Sequence, residues 1–337
     1  MTKQIVLKLL REHTEEFLSG EAISRQAGVS RAAVWKAVEQ LRQEGYGIES
    51  VPNRGYRLTR VTARLRPEEL AEQFRDCRIG RELLCFDTID STNNELKRRA
   101  VSGTVDGTVI LADQQTGGRG RRGRSFVSPA GKGLYLSAAL RPRCPLSEIS
   151  TLTAWTAVAL CDAVEAACGV RPGIKWPNDI VVDGKKVCGI LTEMSMEQAY
   201  IHHIVIGVGI NVRRQEFPKE IRDRAAAIEE QCGFRISRSQ LIADIMEAFE
   251  EDYEIFLQTH DLKGLRDSYA KLLVNRDREV CVLDPKGEFR GTARGINDQG
   301  ELLVERQDGS IEEVYAGEVS VRGVYAVSYT HLRAHET

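Results

Sequence analysis

Apolar residues recur at helical spacing from the start of the chain. Ile5, Val6, Leu9, Leu10 and Phe17 fall on one stripe and predict a helix over residues 3–18. A second, short helix follows Gly20, and Ala27-Gly28-Val29-Ser30 makes a tight turn. Ser30 caps a third helix over 31–44, with Val34, Val38 and Leu41 facing inward and a stop at Gly45. Residues 46–51 and 56–59 then predict a β-hairpin around Pro52-Asn53-Arg54-Gly55.

Beyond a linker at 60–66 the pattern turns mixed. Helices are predicted over 67–75, 91–101, 147–168, 238–258 and 261–274, and strands over 83–87, 108–113, 133–140, 173–176, 180–183, 187–194 and 202–209. Adjacent strands with helices bunched between them predict an antiparallel-rich α+β sheet rather than regular βαβ repeats. The apolar helix carrying Trp155 and Cys161 is expected to be a buried support. Short strands at 278–283, 288–296, 301–306 and 311–315, separated by Asp-, Asn- and Gly-rich turns, predict a small β-barrel.

Charge sharpens the reading of the first segment. Residues 1–65 hold 11 Lys/Arg against 7 Asp/Glu, a balance of +4, which leaves −6 for the rest of a chain whose total is −2. A basic head on an acidic body directs only the head to a polyanion. Its order of elements is the plan of a winged helix-turn-helix, whose third helix offers its first residues to base edges while the hairpin tip grips the backbone. Ser30, Arg31, Ala32, Trp35 and Lys36 on that helix, with Arg54 at the tip, are the candidate DNA-binding residues. Trp35 reads more readily as a packing residue than as a base reader.

Composition excludes other classes. The 337 residues are 42% hydrophobic and 28% charged, ordinary for a globular chain of two or three domains. No run approaches the roughly 18 uninterrupted apolar residues of a membrane span, and the first ten residues lack a signal-peptide core. The expectation is a cytoplasmic protein without a membrane partner. Eight cysteines without a C-x-x-C pair are expected to be reduced core residues, with neither disulfide nor zinc spacing. No metal-ligand set is assigned.

Four motifs carry chemistry. The first is Gly117-Gly118-Arg119-Gly120-Arg121-Arg122-Gly123-Arg124, directly after a strand. Its glycines let the backbone approach an anion, and its arginines present forks that match carboxylate and phosphate oxygens. Mutual repulsion of the arginines predicts a loop that is mobile until an anion arrives. No G-K-[ST] follows, so it is not a Walker loop. The second is Lys175-Trp176-Pro177-Asn178-Asp179, followed by an Asp183-Gly184 hairpin that sets Lys186 at the start of Lys186-Val187-Cys188-Gly189-Ile190-Leu191. Third is Gly207-Val208-Gly209-Ile210-Asn211, where two glycines in a strand imply close approach by a ligand or another backbone. Fourth is Asp90-Ser91-Thr92-Asn93 at a helix start, by itself a simple cap.

These groups, in this order and over about residues 1–325, resemble the biotin protein ligases, specifically the bifunctional form that also represses the biotin operon. The resemblance implies a winged helix-turn-helix at 1–62, a class II synthetase-like ligase domain at 67–274 and an SH3-like barrel at 275–326. It implies activation of the biotin carboxylate on ATP, with Mg2+ on the phosphates, to biotinyl-5′-AMP. Transfer to one lysine of a biotin carboxyl carrier protein follows, and operator DNA is bound by a homodimer loaded with biotinyl-AMP.

Carried across by residue, Ser91, Thr92, Asn93 and Gln115 would hold the ureido ring. Arg119, Gly120 and Arg121 would cover the carboxyl end together with Lys186. Lys186, Arg119 and Arg121 are thereby the catalytic candidates, supplying charge where a carboxylate meets a polyphosphate. Arg122, Arg124, Asn178, Asp179, Asn211 and Arg322 fall on the ATP and adenylate side. Two departures stand out. The segment 213–232 lacks the tryptophan that some relatives place on adenine, leaving Phe217, Ile221 or Ala226 for that contact. Residues 327–337 fit no strand and read as a non-native extension. The alternatives are a biotin-sensing transcription factor without ligase activity and a lipoate ligase-like enzyme. An intact arginine loop and Lys186 weigh against the first, and the wording of the first two motifs against the second.

Overall fold

The computed structural model describes residues 2–13, 16–43, 46–52, 54–60, 70, 74, 77–101, 103–142, 149–197, 200–284, 287–315 and 318–321. The chain divides into two compact units, Met1–Leu65 and Arg66–Thr337. The linker, most of the helix expected at 67–75, Arg322 and the tail at 327–337 lie outside the described residues.

In the first unit, helices α1 (Thr2–Glu12), α2 (Gly20–Ala27) and α3 (Arg31–Gln43) precede the antiparallel strands β1 (Gly47–Val51) and β2 (Gly55–Arg60). Val6, Leu10, Ile23, Val34, Val38 and Leu41 form its core. The first helix is shorter than its apolar stripe predicts. Ser19 is needed as the cap of α2, its hydroxyl accepting from Ala22 N at 3.0 Å. Leu18 is taken up by an antiparallel bridge to Tyr56, with 2.8 Å bonds in both directions. Gly55 permits that third edge of the wing: its φ is +106°, and a Cβ there would lie 2.0 Å from Leu18 O.

The second unit is built on a seven-stranded sheet in the order β3-β4-β5-β9-β8-β7-β6. Its strands are β3 (Leu83–Ile89), β4 (Val109–Gln115), β5 (Gly133–Leu140), β6 (Gly173–Lys175), β7 (Asp179–Val182), β8 (Lys185–Glu197) and β9 (Tyr200–Asn211). Only β3 and β4 run parallel, so the sheet is antiparallel-rich. Helices α4 (Thr92–Val101), α5 (Ile149–Cys168), α6 (Ile228–Cys232), α7 (Arg238–Thr259) and α8 (Arg266–Leu272) accompany it. The short α6 has no strong apolar period and was not expected, and residues 261–265 are a turn rather than the start of α8.

The stretch Thr151–Cys168 of α5 has the length and apolarity of a membrane span, but 72% of it is buried within the fold. Trp155 is 1% exposed there, edge-on to Phe256 of α7 at 6.0 Å. It is an internal support. The cysteine expectation needs correction: Cys161, Cys168 and Cys188 are buried, whereas Cys77, Cys85, Cys232 and Cys281 are partly exposed.

The α5–α7 contact holds two carboxyls raised by burial, Asp162 and Asp252, the second the more strongly. Burial, with the nearby charges of Asp162 and Glu251, pushes the Asp252 carboxyl up to about 7 from 3.8. A folded-state pKa above the unfolded one means that the contribution to stability is full below about pH 4 and lost as pH rises through 7. Asp252→Asn should therefore raise the melting temperature at pH 8 by several degrees, equivalent to roughly 2 kcal/mol after discounting for partial exposure. At pH 5 the gain should be much smaller. Equal gains at both pH values would exclude ionisation of Asp252 as the cause.

The chain ends, within the described residues, in an antiparallel five-stranded sheet ordered β13-β12-β11-β10-β14. These strands are β10 (Glu279–Asp284), β11 (Gly287–Ile296), β12 (Leu302–Glu305), β13 (Ile311–Val314) and β14 (Glu318–Val321). Trp176 ties this sheet to the β6–β7 turn, with its indole N–H donating to Gly300 O at 3.0 Å and its backbone N–H to Asn275 Oδ1 at 2.8 Å.

Candidate functional site

The cleft of the second unit is laid out by two rows of cross-strand neighbours on β5, β9 and β8. Ser137, Gly207 and Leu191 form one row; Tyr135, Gly209 and Gly189 form the next. Alternate residues of a strand share a face, so both rows present to the same side. Asn93, from the start of α4, lies on Gly207, where a Cβ would sit 2.0 Å from its Oδ1. The Phe126 ring lies over Gly209, where a Cβ would come within 2.6 Å of it. The close approach at these glycines is thus made by side chains, not by another backbone.

The floor is polar and buried. Ser91, Thr92 and Asn93 are 2–3% exposed and Ser137 is 0% exposed. The Ser137 hydroxyl bridges Thr92 Oγ1 (2.7 Å) and Asn93 Oδ1 (2.6 Å). Gln115, ending β4, accepts from Thr92 N at 2.9 Å and donates to Ser128 Oγ at 3.0 Å. The Asn93 amide donates to Glu193 Oε2 at 2.9 Å and to Leu191 O at 3.3 Å. Such a floor offers several fixed donors and acceptors to one small polar ring.

The mouth is cationic. Residues 118–126 close on themselves through Gly120 N to Arg124 O (2.7 Å) and Phe126 N to Gly118 O (2.9 Å). Arg122 takes a left-handed conformation at the tip, with φ +55°. Arg119 donates to Asn94 Oδ1 at 3.1 Å and pairs with Glu193 at 3.5 Å. Arg121 donates to Asn178 Oδ1 at 3.2 Å, and Asn178 is itself held by Ile190 O at 2.8 Å. Asp183 and Gly184 both have positive φ, the tight turn that aligned strands require, and this brings Lys186 back onto β8. Its ammonium reaches Asp179 at 2.6 Å, and Gly189 leaves it room, since a Cβ there would lie 2.8 Å from Nζ.

Burial alone would raise the Glu193 carboxyl. Hydrogen bonds from Lys97 and Asn93, with the charges of Lys97 and Arg119, outweigh it and hold the group below the usual carboxylate value. Glu193 is therefore an anion beneath the arginine loop.

Of the residues singled out in the sequence, Ser91, Thr92, Asn93, Gln115, Arg119, Gly120, Arg121, Asn178 and Lys186 line one cleft. Asp179 stands behind Lys186. Asn211 is buried at the end of β9, bonded by Gln215 Nε2 at 3.1 Å, and does not line the cleft. Arg122 turns toward Leu283 O on β10, and Arg124 is exposed. Arg322 lies outside the described residues. Of the adenine candidates, Ala226 is 3% exposed and its N–H donates to Lys186 O, while Phe217 and Ile221 are partly exposed; none lines the cleft. Phe126, Ser137 and Glu193 escaped the sequence reading. Only Ser137 left a trace, as the one polar residue within an apolar strand.

In the first unit, Ser30, Arg31, Ala32, Trp35 and Lys36 are all exposed on the opening turns of α3, opposite the buried Val34, Ala37 and Val38. Trp35 is 58% exposed, which removes the packing reading. Arg31 is paired with Glu21. Arg54 and Arg57 each place a guanidinium 4.6 Å from the Phe17 ring, fixing the wing arginine in place.

The comparisons with known proteins agree over most of the chain. Residues 85–211 match the Biotin/lipoate A/B protein ligase family, residues 2–57 an HTH domain, and residues 277–322 the Biotin protein ligase C terminal domain. The Bifunctional ligase/repressor BirA of Bacillus spizizenii is 39% identical over 94% of this chain and 97% of its own length. The Bifunctional ligase/repressor BirA of Escherichia coli is 31% identical over 91% and 94%. Among solved structures, the biotin protein ligase from Aquifex aeolicus in complex with biotin and ATP superposes with a TM-score of 0.62, at 30% identity over 72% of this chain and 98% of that one. A helix-turn-helix unit, a ligase cleft and a C-terminal sheet occur here in the same order, and this chain belongs to the biotin protein ligase family in its bifunctional ligase/repressor form.

Proposed function

We propose that the chain activates the carboxylate of biotin with ATP, forming biotinyl-5′-AMP and pyrophosphate, and then acylates one lysine of a biotin carboxyl carrier protein. The observation that carries this reading is a buried hydrogen-bonding floor beneath a mouth of Arg119, Arg121 and Lys186. A ureido ring satisfies such a floor. The dithiolane of lipoate offers that floor no hydrogen-bonding group, which disfavours the lipoate reading.

The first step brings a carboxylate to the α-phosphate. Ser91, Thr92, Asn93 and Gln115 hold the ring, so that the valeryl chain directs its carboxylate toward Arg119 and Arg121. Lys186, with the arginines, neutralises the charge that develops as the carboxylate oxygen bonds to phosphorus and pyrophosphate leaves. Arg122, Arg124, Asn178, Asp179, Asn211 and Arg322 belong to the nucleotide side in this reading. Mg2+ would accompany ATP and offset part of its negative charge. In the second step the neutral lysine amine attacks the acyl carbon and AMP departs. Proximity supplies most of the acceleration there, and no nucleophile of the enzyme is required.

The test is incubation with Mg2+, ATP, labelled biotin and an apo carrier domain, with lipoate in parallel. Label on the carrier and biotin-dependent pyrophosphate release are expected. Biotin binding without pyrophosphate would replace this reading with that of a sensor.

The chain, in this proposal, is a cytoplasmic repressor of the biotin operon as well. Biotinyl-AMP orders the arginine loop and favours a homodimer, which sets two winged helices on a palindromic operator. In this proposal the winged helix spans 1–62, the ligase domain 67–274 and the C-terminal domain 275–326. Replacing Arg31, Lys36 and Arg54 with alanine should weaken operator binding by at least tenfold and flatten its salt dependence. Carrier ligation should stay within twofold. A mobility-shift titration at two salt concentrations checks this, and unchanged affinity would remove α3 and the wing from DNA contact.

A further inference from the structure

The Asn93 amide can present either its oxygen or its nitrogen to the cleft, and the choice decides whether it meets an N–H or the carbonyl of the ring proposed to bind there. What decides between them lies outside the ring pocket. The Nδ2 edge meets two acceptors, Glu193 Oε2 at 2.9 Å and Leu191 O at 3.3 Å. The Oδ1 edge meets the Ser137 hydroxyl at 2.6 Å, and that hydroxyl also bonds Thr92 Oγ1. A hydroxyl accommodates either edge by rotating, and a lone carbonyl is a modest bias. An ionised carboxylate accepts only, and charge-assisted bonds are roughly twice as strong as neutral ones.

Glu193 is itself held. Lys97 Nζ lies 2.8 Å from its Oε1, and Arg119 pairs with the same oxygen at 3.5 Å. Its side chain is 20% exposed, so these charges are only partly screened. Burial works against ionisation, and the hydrogen bonds of Lys97 and Asn93 overcome it.

We infer that Glu193, braced by Lys97, is a positioning residue that locks the Asn93 amide with its oxygen toward the ring pocket, and so sets affinity for the ureido ring. This rests on the proposed biotin reading and deepens it. Glu193 touches neither the ring nor the reacting atoms; it acts through Asn93.

The experiment uses the full-length chain and steady-state pyrophosphate release. Wild-type turnover of biotin comes first, and its absence would defeat the biotin reading rather than this inference. With turnover established, Glu193→Gln should raise the KM for biotin roughly 10- to 100-fold, the range of a lost hydrogen bond to a charged group, with kcat and the KM for ATP within about threefold. Biotinol, which keeps the ring and lacks the carboxylate, should lose inhibitory affinity by the same factor. Were biotin alone to weaken, the effect would run through the charge on Arg119, and the inference would fail. It fails too if both KM values and kcat move together, as a general structural lesion would produce. A second arm covers misfolding. Asn93→Asp sets two carboxylates side by side and should bind biotin poorly, whereas combining it with Glu193→Gln restores a donor–acceptor pair and should recover at least tenfold of the loss. No recovery, in a double variant that melts within a few degrees of wild type, overturns the inference.

Discussion

Lys186→Ala should lower the rate of biotin-dependent pyrophosphate release by 10²–10³-fold, about 2.7–4 kcal/mol of lost charge stabilisation. Two effects combine in that number. Positive charge is removed where a carboxylate meets a polyphosphate. Asp179, which the ammonium neutralises at 2.6 Å, is also left facing the cleft as an uncompensated anion. The second effect is separable. Adding Asp179→Asn to Lys186→Ala should restore much of the ATP affinity and little of kcat, because the repulsion is gone while the stabilising charge is still missing. The fold should survive, since the Lys186 side chain is 28% exposed and its backbone bonds to Arg224 O and Ala226 N do not depend on the ammonium. Thermal melting and single-turnover pyrophosphate release measure both parts. A kcat within threefold of wild type would remove Lys186 from the chemistry.

Gly207→Val should abolish measurable biotin binding, weakening it by at least 100-fold, and should destabilise the second unit by roughly 2–4 kcal/mol. Even the first added carbon would stand 2.0 Å from Asn93 Oδ1 and 2.8 Å from its Cγ. Asn93 is 3% exposed, so it cannot move aside into solvent without abandoning Ser137, Leu191 and Glu193. The cost is a steric clash together with a broken polar network. Combining Gly207→Ala with Asn93→Gly relieves the clash, and should recover stability but not biotin affinity. Calorimetric titration with biotin, beside thermal melting, distinguishes the two losses. Biotin affinity within threefold in the Gly207→Val variant would show that the floor is not the ring site.

Much of the molecule is legible from local pattern. Helix spacing and turn residues locate α2, α3 and the wing, because Gly28, Ser30 and Gly55 each satisfy a backbone requirement near their own position. Strand β5 is predicted to its end residues, since an apolar run between glycine and proline turns has few other solutions. The first helix was overextended because an apolar stripe continues past Glu12, and only the Leu18–Tyr56 bridge shows why the chain leaves the helix. Likewise α6 is short, and nothing in its five residues outweighs a turn.

The cationic half of the site is similarly legible. Four arginines among glycines, and a lysine after an Asp-Gly turn, state their chemistry through residue type and spacing. The polar half is not. Ser137 matters because β5 pairs with β9 in the register that sets it beside Gly207, and Phe126 because Gly209 leaves space for its ring. Glu193 lies one hundred residues from the amide it holds.

The sequence by itself determined that a basic winged helix precedes an α+β unit and a run of short antiparallel strands read as a small β-barrel, and which loops carry charge for an anion. These follow from periodicity, turn chemistry and composition, which act over a few residues. Only the tertiary structure decided which glycines are occupied by which side chains, which acid neutralises which base, and which way the Asn93 amide faces. Those outcomes depend on strand register and on hydrogen bonds between segments far apart in the chain, and no local pattern encodes them.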